Sequence, residues 1–213
     1  MGILANSRHV HPRLREAMAL GSNGKSKVQL VLVDLIANHG IKFDADAFLR
    51  KRWRRWFAGA QLEDSVKRAA IVRSLLEGMP PFCLSAMLCT WLNGWVTDRR
   101  FQRDNSACVF GCSEEDSLEH YACCDILWSV MPDGMTSGRR CTLSALLLTA
   151  SDAIDRVEAQ KGAVLNYIAL QTYNHVKHSN VTPSKHSLRN IVNERMRFAC
   201  GRSKKVRIAC STL

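Results

Sequence analysis

The sequence of 213 residues lacks any apolar run long enough to cross a lipid bilayer. Its longest candidates, VQLVLVDLIA and LSALLLTA, are far shorter than the roughly 20 residues that a transmembrane helix needs. The sequence also shows no signal peptide, because no charged start is followed by an apolar stretch and a small-residue cleavage site. We therefore expect a soluble protein without a membrane partner.

A disulfide scaffold is not expected either, although nine cysteines are present. The cysteine count is odd, the chain is long, and the secretory signal that such scaffolds require is missing. These features favour a reducing, intracellular compartment, and the nucleus and the mitochondrion both stay open. With 46% hydrophobic residues, the chain can bury one substantial core or two small ones.

The whole chain has a net charge of +11, and acidic residues are scarce at both of its ends. Residues 1–60 and residues 181–213 each carry a net charge of +7, whereas residues 108–132 carry five acidic side chains and no Lys or Arg. Two basic ends favour a polyanionic partner, most often nucleic acid. The alternative is a basic surface that only keeps the protein soluble.

Soft-metal ligands are concentrated in the acidic stretch CVFGCSEEDSLEHYACC, residues 108–124. Cys108 and Cys112 have three residues between them, and so do His120 and Cys124. Two cysteines on a tight turn, followed by a His and a Cys one helical turn apart, predict a tetrahedral Zn²⁺ site. Cys123 is left as an alternative fourth ligand.

The choice of Cys124 over Cys123 depends on a predicted helix that begins near Asp116 or Ser117. Residues four apart share one face of such a helix, so His120 and Cys124 would point the same way. Four protein ligands leave no open coordination position. We therefore predict a structural zinc ion rather than a catalytic one.

Apolar periodicity predicts a mainly α-helical protein built around this site. One predicted helix covers residues 45–60 and ends at Gly59, with Leu49, Trp53, Trp56 and Phe57 on its core face. One further helix is expected before Met79-Pro80-Pro81, with the apolar stripe Leu62, Val66, Ala69, Val72 and Leu76. Another is expected after it, with the apolar stripe Leu84, Met87, Leu88, Trp91, Leu92 and Trp95.

The predicted organisation has four parts. They are a basic flexible arm or presequence over 1–27, a helical region with the basic Trp-rich helix over 28–80, a helical zinc-binding domain over 81–180, and a basic C-terminal helix and tail over 181–213. Basic residues in three of these parts are candidate contacts for nucleic acid. They are Arg50, Lys51, Arg54, Arg55, Arg99, Arg100, Arg103, Arg202, Lys204, Lys205 and Arg207.

The stretch AMLCTWLNGWVTDRRFQRDNSACVFGCSEEDSLEHYACC resembles the zinc-binding region that follows the polymerase domain in reverse transcriptases of non-LTR retrotransposons. In that family a helix and an Arg-bearing segment lead to a Cys/Cys/His/Cys site, with an acidic approach to the histidine, here Asp116-Ser117-Leu118-Glu119-His120. AVLNYIALQTYNHVKHSN, residues 163–180, resembles the following helix. The family more often has two residues between the cysteines and four between His and the last Cys.

The resemblance implies a nucleic-acid-binding fragment without catalytic activity. The polymerase chemistry of such elements needs paired aspartates, and the sequence contains no Asp-Asp pair. A nuclease pattern is also not matched, because Pro132-Asp133 is followed only by Glu158 and Lys161 with one residue too many between them. We expect no small-molecule substrate.

Two functions from different classes follow from the sequence. The first is a non-catalytic, RNA-binding zinc protein, either on its own or within a ribonucleoprotein such as an organellar ribosome. The second is a structural protein–protein interaction subunit of a larger assembly, in which zinc only stabilises the fold and the positive charge is incidental.

Overall fold

The computed structural model describes residues 44–103, 107–132, 142–151, 153–179 and 181–211. The protein is mainly helical over these ranges, which confirms the predicted fold class. They contain no β-strand, only one antiparallel bridge between Ala107 and Glu115. Asp46–Leu213 forms one compact unit, which the following paragraphs concern. The expectations for residues 1–43 and for Asp133 lie outside the described ranges.

Nine α-helices and one 3₁₀ turn, Arg99–Phe101, occur in the described part of the chain. The predicted boundaries near residues 80 and 180 fall between helices of the compact unit. The helices are α1 (Ala45–Trp53), α2 (Gly59–Leu75), α3 (Pro81–Trp91), α4 (Leu118–Tyr121), α5 (Asp125–Trp128), α6 (Leu143–Leu146), α7 (Arg156–Ser179), α8 (Lys185–Arg202) and α9 (Lys204–Ser211).

Helix α7 is the central element of the core. It packs against α2, α3, α8 and α9. Its buried side chains include Ala163, Val164, Ile168 and Tyr173, all with 0% exposure. Apolar residues recur along it at helical spacing, so one long helix can bury surface against several neighbours at once.

Tryptophan side chains join the first helices to the core, as the sequence predicts. Trp53 is fully buried and donates its indole N–H to the carbonyl oxygen of Trp91 at 2.8 Å. Trp91 in turn donates to the carbonyl oxygen of Leu147 at 2.9 Å. A buried indole needs such an acceptor, because an unpaired N–H in the core costs about 1–3 kcal/mol.

Two details of the helix predictions are wrong. Helix α1 ends at Trp53, because the backbone N–H groups of Trp56 and Phe57 both turn back to the Trp53 carbonyl oxygen. Gly59, with a φ of 52°, begins α2 instead of ending α1. Leu88 is 49% exposed, since α3 buries the neighbouring face that carries Met87.

The basic segment after α8 folds as α9, whose Val206 and Ala209 side chains are buried. Helix α9 packs on α7 and α8, which places its lysines on a structured surface. Among the helices that the structure describes, none combines the length and the apolar character needed to span a membrane.

Candidate metal centre

A tight turn brings Cys108 and Cys112 together. The N–H of Gly111 donates to the Cys108 carbonyl oxygen at 3.0 Å, and the N–H of Phe110 donates to the Cys108 sulfur at 3.4 Å. The N–H of Cys108 donates to the carbonyl oxygen of Glu114 at 2.8 Å, which closes the loop behind the turn. Gly111 has a φ of 93°, a conformation that other residues rarely adopt.

Two glycine-to-alanine substitutions, one in this turn and one in α8, should change the stability of the protein in opposite directions. A Cβ at Gly111 would lie 2.7 Å from the Thr182 methyl group in a left-handed backbone, so Gly111→Ala should destabilise the protein by about 1–3 kcal/mol. Gly201 lies in α8 with no atom near a built Cβ, so Gly201→Ala should stabilise by about 0.4–1 kcal/mol. Denaturant unfolding of the two variants compares them directly. Equal stabilities would contradict the described turn.

The ligand atoms of His120 and Cys124 lie close together, although the two residues do not belong to one continuous helix. Ser117 caps α4 by accepting the N–H of His120 at 3.2 Å, as the predicted helix start requires. However, α4 ends at Tyr121, and Cys124 lies at the position that precedes α5. The predicted single helix with both ligands on one face is therefore wrong. Cys123 is exposed, and its thiol contacts the Glu119 carbonyl oxygen at 3.6 Å.

The four predicted ligand atoms of Cys108, Cys112, His120 and Cys124 all lie within 4.8 Å of one another. The Cys124 sulfur is 3.8 Å from that of Cys108 and 3.9 Å from that of Cys112. The His120 Nε2 atom is 3.0 Å from the Cys112 sulfur. Zn–S bonds of about 2.3 Å in a tetrahedron place the sulfurs about 3.8 Å apart. The cluster could therefore hold a zinc ion.

The electrostatics of the three thiols also favour a cation. A hydrogen bond from Cys124 lowers the pKa of Cys108 to about 5. The same hydrogen bond, together with burial, raises the pKa of Cys124, and burial raises that of Cys112. One thiolate thus suppresses ionisation of the other two, whereas a dication among them would stabilise all three as thiolates.

A buried carboxylate connects the metal loop to α7. Asp116 has 0% exposure and accepts hydrogen bonds from the Tyr121 hydroxyl at 2.7 Å, the Asp98 N–H at 3.0 Å and the Lys177 ammonium at 2.6 Å. Lys177 also donates to the Asp98 carboxylate at 2.8 Å. The Tyr121 hydroxyl accepts the N–H of Val109, between the two cysteines, at 3.2 Å.

This network of Asp98, Asp116, Tyr121 and Lys177 was not found from the sequence. Burial alone would lower the pKa of Lys177, but its hydrogen bonds to Asp116 and Asp98 raise it. One sequence signal was available. Lys177 follows Tyr173 by four residues on the buried face of α7, where an unpaired ammonium would be costly.

Aromatic rings surround the same loop. The Tyr121 ring stacks on Trp95 with centroids 5.8 Å apart and meets Tyr173 at 4.9 Å. Phe110, from the cysteine turn, contacts the edge of Tyr121 at 5.6 Å. The metal loop is therefore packed into the main core and does not project from it.

Several predicted nucleic-acid contacts are ion-paired within the protein. Arg50 forms a bidentate ion pair with Glu63, with Nε–Oε1 and Nη2–Oε2 distances of 2.9 and 3.0 Å. The other ion pairs, with their N···O distances, are Arg55–Glu119 at 3.0 Å, Arg99–Glu115 at 2.7 Å and Arg103–Asp98 at 3.7 Å. These four arginines neutralise nearby acids, including two on the metal loop.

The other candidates fall into two groups. Arg100 and Arg207 donate to the backbone carbonyl oxygens of Trp95 and Cys200, each at 3.4 Å. The remaining five side chains are exposed and form no ion pair with any residue that the structure describes. They are Lys51, Arg54, Arg202, Lys204 and Lys205.

Comparisons with protein-family models, with curated proteins and with solved structures found no match to this chain. The resemblance to the zinc-binding region of non-LTR reverse transcriptases therefore stays a prediction from the quoted motifs.

Proposed function

We propose that this chain is a non-catalytic, RNA-binding protein stabilised by one Zn²⁺ ion on Cys108, Cys112, His120 and Cys124. The observation that carries this proposal is the distribution of unpaired charge. Glu115 and Glu119 on the metal loop are paired with arginines, whereas Lys51 on α1, Arg54 just after it and the cations at the α8–α9 junction are exposed and form no ion pair with any described residue. Such cations are available to backbone phosphates.

The zinc ion would have a structural role. Three thiolates and one imidazole complete a tetrahedral shell, which leaves no position for a reacting water or substrate. Bound zinc would fix the Cys108–Cys112 turn against the start of α5, at the edge of the aromatic cluster around Tyr121. The ligands would thus contribute to folding, since unfolding releases the metal.

The quoted motifs support a relation to the reverse transcriptase C-terminal region of non-LTR retrotransposons. A fragment or host-retained derivative of this kind would act within a ribonucleoprotein in the nucleus or the mitochondrion. Its partner would be RNA, with other proteins of the particle as further contacts, and no small-molecule substrate is needed.

A second candidate is a structural subunit of a protein assembly. Exposed apolar side chains favour it, since Leu88, Val96 and Phe101 are each 47–49% exposed. Single exposed apolar residues are common on soluble proteins, however, and each is compatible with free solvent. The RNA-binding measurement below separates the two candidates, because incidental positive charge would give no salt-dependent affinity for RNA.

RNA binding should decrease steeply with salt if the five exposed cations contact phosphate. Five contacts at a slope of about 0.7 each predict roughly a 100-fold loss of affinity between 50 and 200 mM salt. Fluorescence anisotropy with a labelled single-stranded RNA measures this slope on the zinc-loaded protein. The proposal fails if that protein shows no binding at 50 mM salt, or a binding constant that salt leaves unchanged.

A further inference from the structure

An open cleft of about 640 Å³ lies beside the C-terminal end of α1. Four cations are among its described lining residues, and no carboxylate is. The cleft also has one aromatic ring and one amide, which lies just after α3. The lining residues are Phe48, Lys51, Arg52, Arg54, Arg55 and Asn93.

Two of the cleft arginines lie over aromatic rings. The guanidinium carbon of Arg52 lies 5.4 Å from the Phe48 ring centroid, and that of Arg55 lies 5.5 Å from that of Trp56. An anion in the cleft would therefore meet Lys51 and Arg54, which form no ion pair among the described residues, beside Arg52 and the Glu119-paired Arg55.

Asn93 is the second, independent feature of the cleft. It is 7% exposed, and its Oδ1 atom is buried without a hydrogen-bond partner among the described residues. Its φ of 52° lies in the left-handed region, which asparagine tolerates better than most residues. An unpaired buried carbonyl oxygen costs about 1–3 kcal/mol, and a ligand that donates a hydrogen bond to Oδ1 would offset that cost.

We infer that this cleft binds a nucleotide unit of single-stranded RNA, an inference that rests on the proposed function. Lys51 and Arg54 contact the phosphates, and the Asn93 amide hydrogen-bonds to the sugar or the base. The volume lies within the range of small-molecule sites, about 300–1,000 Å³, which suits one or two nucleotides. Single strands can splay a nucleotide into a cleft, whereas a duplex keeps its bases stacked.

The decisive experiment compares two charge-matched double variants of the full-length, zinc-loaded protein. Lys51→Ala/Arg54→Ala removes the cleft cations, and Arg189→Ala/Arg197→Ala removes two exposed cations from α8. Loss of two phosphate contacts lowers the salt slope for a labelled ten-nucleotide uridine RNA by about 1.4 and the affinity by roughly 50-fold at 50 mM salt. The α8 variant should keep the wild-type slope.

An Asn93→Asp variant tests the amide without removing a cation. The carboxylate keeps the side-chain size, and denaturant unfolding of the variant checks that the fold is retained. RNA affinity should decrease by roughly tenfold or more, because the negative charge repels the phosphate. Unchanged affinity in this variant would overturn the role of Asn93.

The outcomes separate this inference from the proposed function. Equal losses in the two double variants would overturn the cleft as the site but leave RNA binding by the protein intact. Absence of wild-type binding would overturn both. A self-complementary duplex that binds as tightly as the single strand, or uridine monophosphate that competes at the same concentration as the strand, would overturn the assignment to single-stranded RNA.

Discussion

Replacing Cys124 with serine should abolish stoichiometric zinc binding and destabilise the protein by more than about 3 kcal/mol. The Cys124 side chain has 0% exposure, and its sulfur lies within 4 Å of two other ligand sulfurs. A serine hydroxyl is a poor zinc ligand and would leave an incomplete shell in a buried position. Metal analysis after gel filtration and denaturant unfolding measure the two effects.

Cys123→Ser is the matched control for this experiment. Cys123 is exposed, and its sulfur contacts a backbone carbonyl oxygen outside the cluster. The variant should bind zinc fully and unfold within about 0.5 kcal/mol of the wild type. Zinc loss in Cys123→Ser but not in Cys124→Ser would show that the fourth ligand is assigned to the wrong cysteine.

Replacing Asp116 with asparagine should destabilise the zinc-loaded protein by about 3–5 kcal/mol. The Asp116 carboxylate accepts four hydrogen bonds in a fully buried position, including one from Lys177 and a longer one from Tyr173 at 3.5 Å. Asparagine offers one acceptor oxygen, so its NH₂ group would face either the Asp98 N–H and the Lys177 ammonium or the hydroxyls of Tyr121 and Tyr173. Denaturant unfolding with zinc present measures the loss without removing a ligand.

The neighbouring Glu115→Gln change provides the control for Asp116. Glu115 makes the same kind of contact, a 2.7 Å pair with Arg99, but both side chains are about half exposed. Exposed pairs contribute little, so this variant should lose less than about 1 kcal/mol. The double variant Asp116→Asn/Lys177→Met should lose less than the sum of its single changes, because each single change already removes the direct Asp116–Lys177 contact. Additive losses would contradict the described pair.

The sequence predicted helices well where apolar residues repeat at helical spacing. Leu62, Val66, Ala69 and Val72 are all buried in α2, as their stripe requires. Periodicity was less reliable at helix ends and at the edges of a stripe. The Trp53 carbonyl oxygen closes a turn that ends α1 early, and Leu88 lies just outside the buried face of α3.

Ligand spacing predicted which side chains form the cluster but not the path of the backbone between them. His120 and Cys124 meet the other ligands although the helix breaks after Tyr121. A spacing of three residues is thus compatible with more than one local structure. The prediction of the four ligands depended on the residue types and their order. It did not need a single helix containing both His120 and Cys124.

Long-range ion pairs could not be predicted from the local pattern. Lys177 and Asp116 are 61 residues apart, and Arg55 and Glu119 are 64 apart. The arginines on and just after α1 have the spacing of a solvated basic face, yet packing brings Arg50 and Arg55 against acids on other elements. The same packing leaves Lys51 and Arg54 in the cleft with Asn93, a combination that exists only in the folded chain.

The most direct test of the central claim is the zinc content and ligand geometry of the wild-type protein. Metal analysis by mass spectrometry should find one zinc ion per chain, and Co²⁺ substitution should give the absorption of a tetrahedral site with three thiolates and one imidazole. A well-folded wild-type protein that contains no zinc, and that takes up neither Zn²⁺ nor Co²⁺ under reducing conditions, would contradict the account.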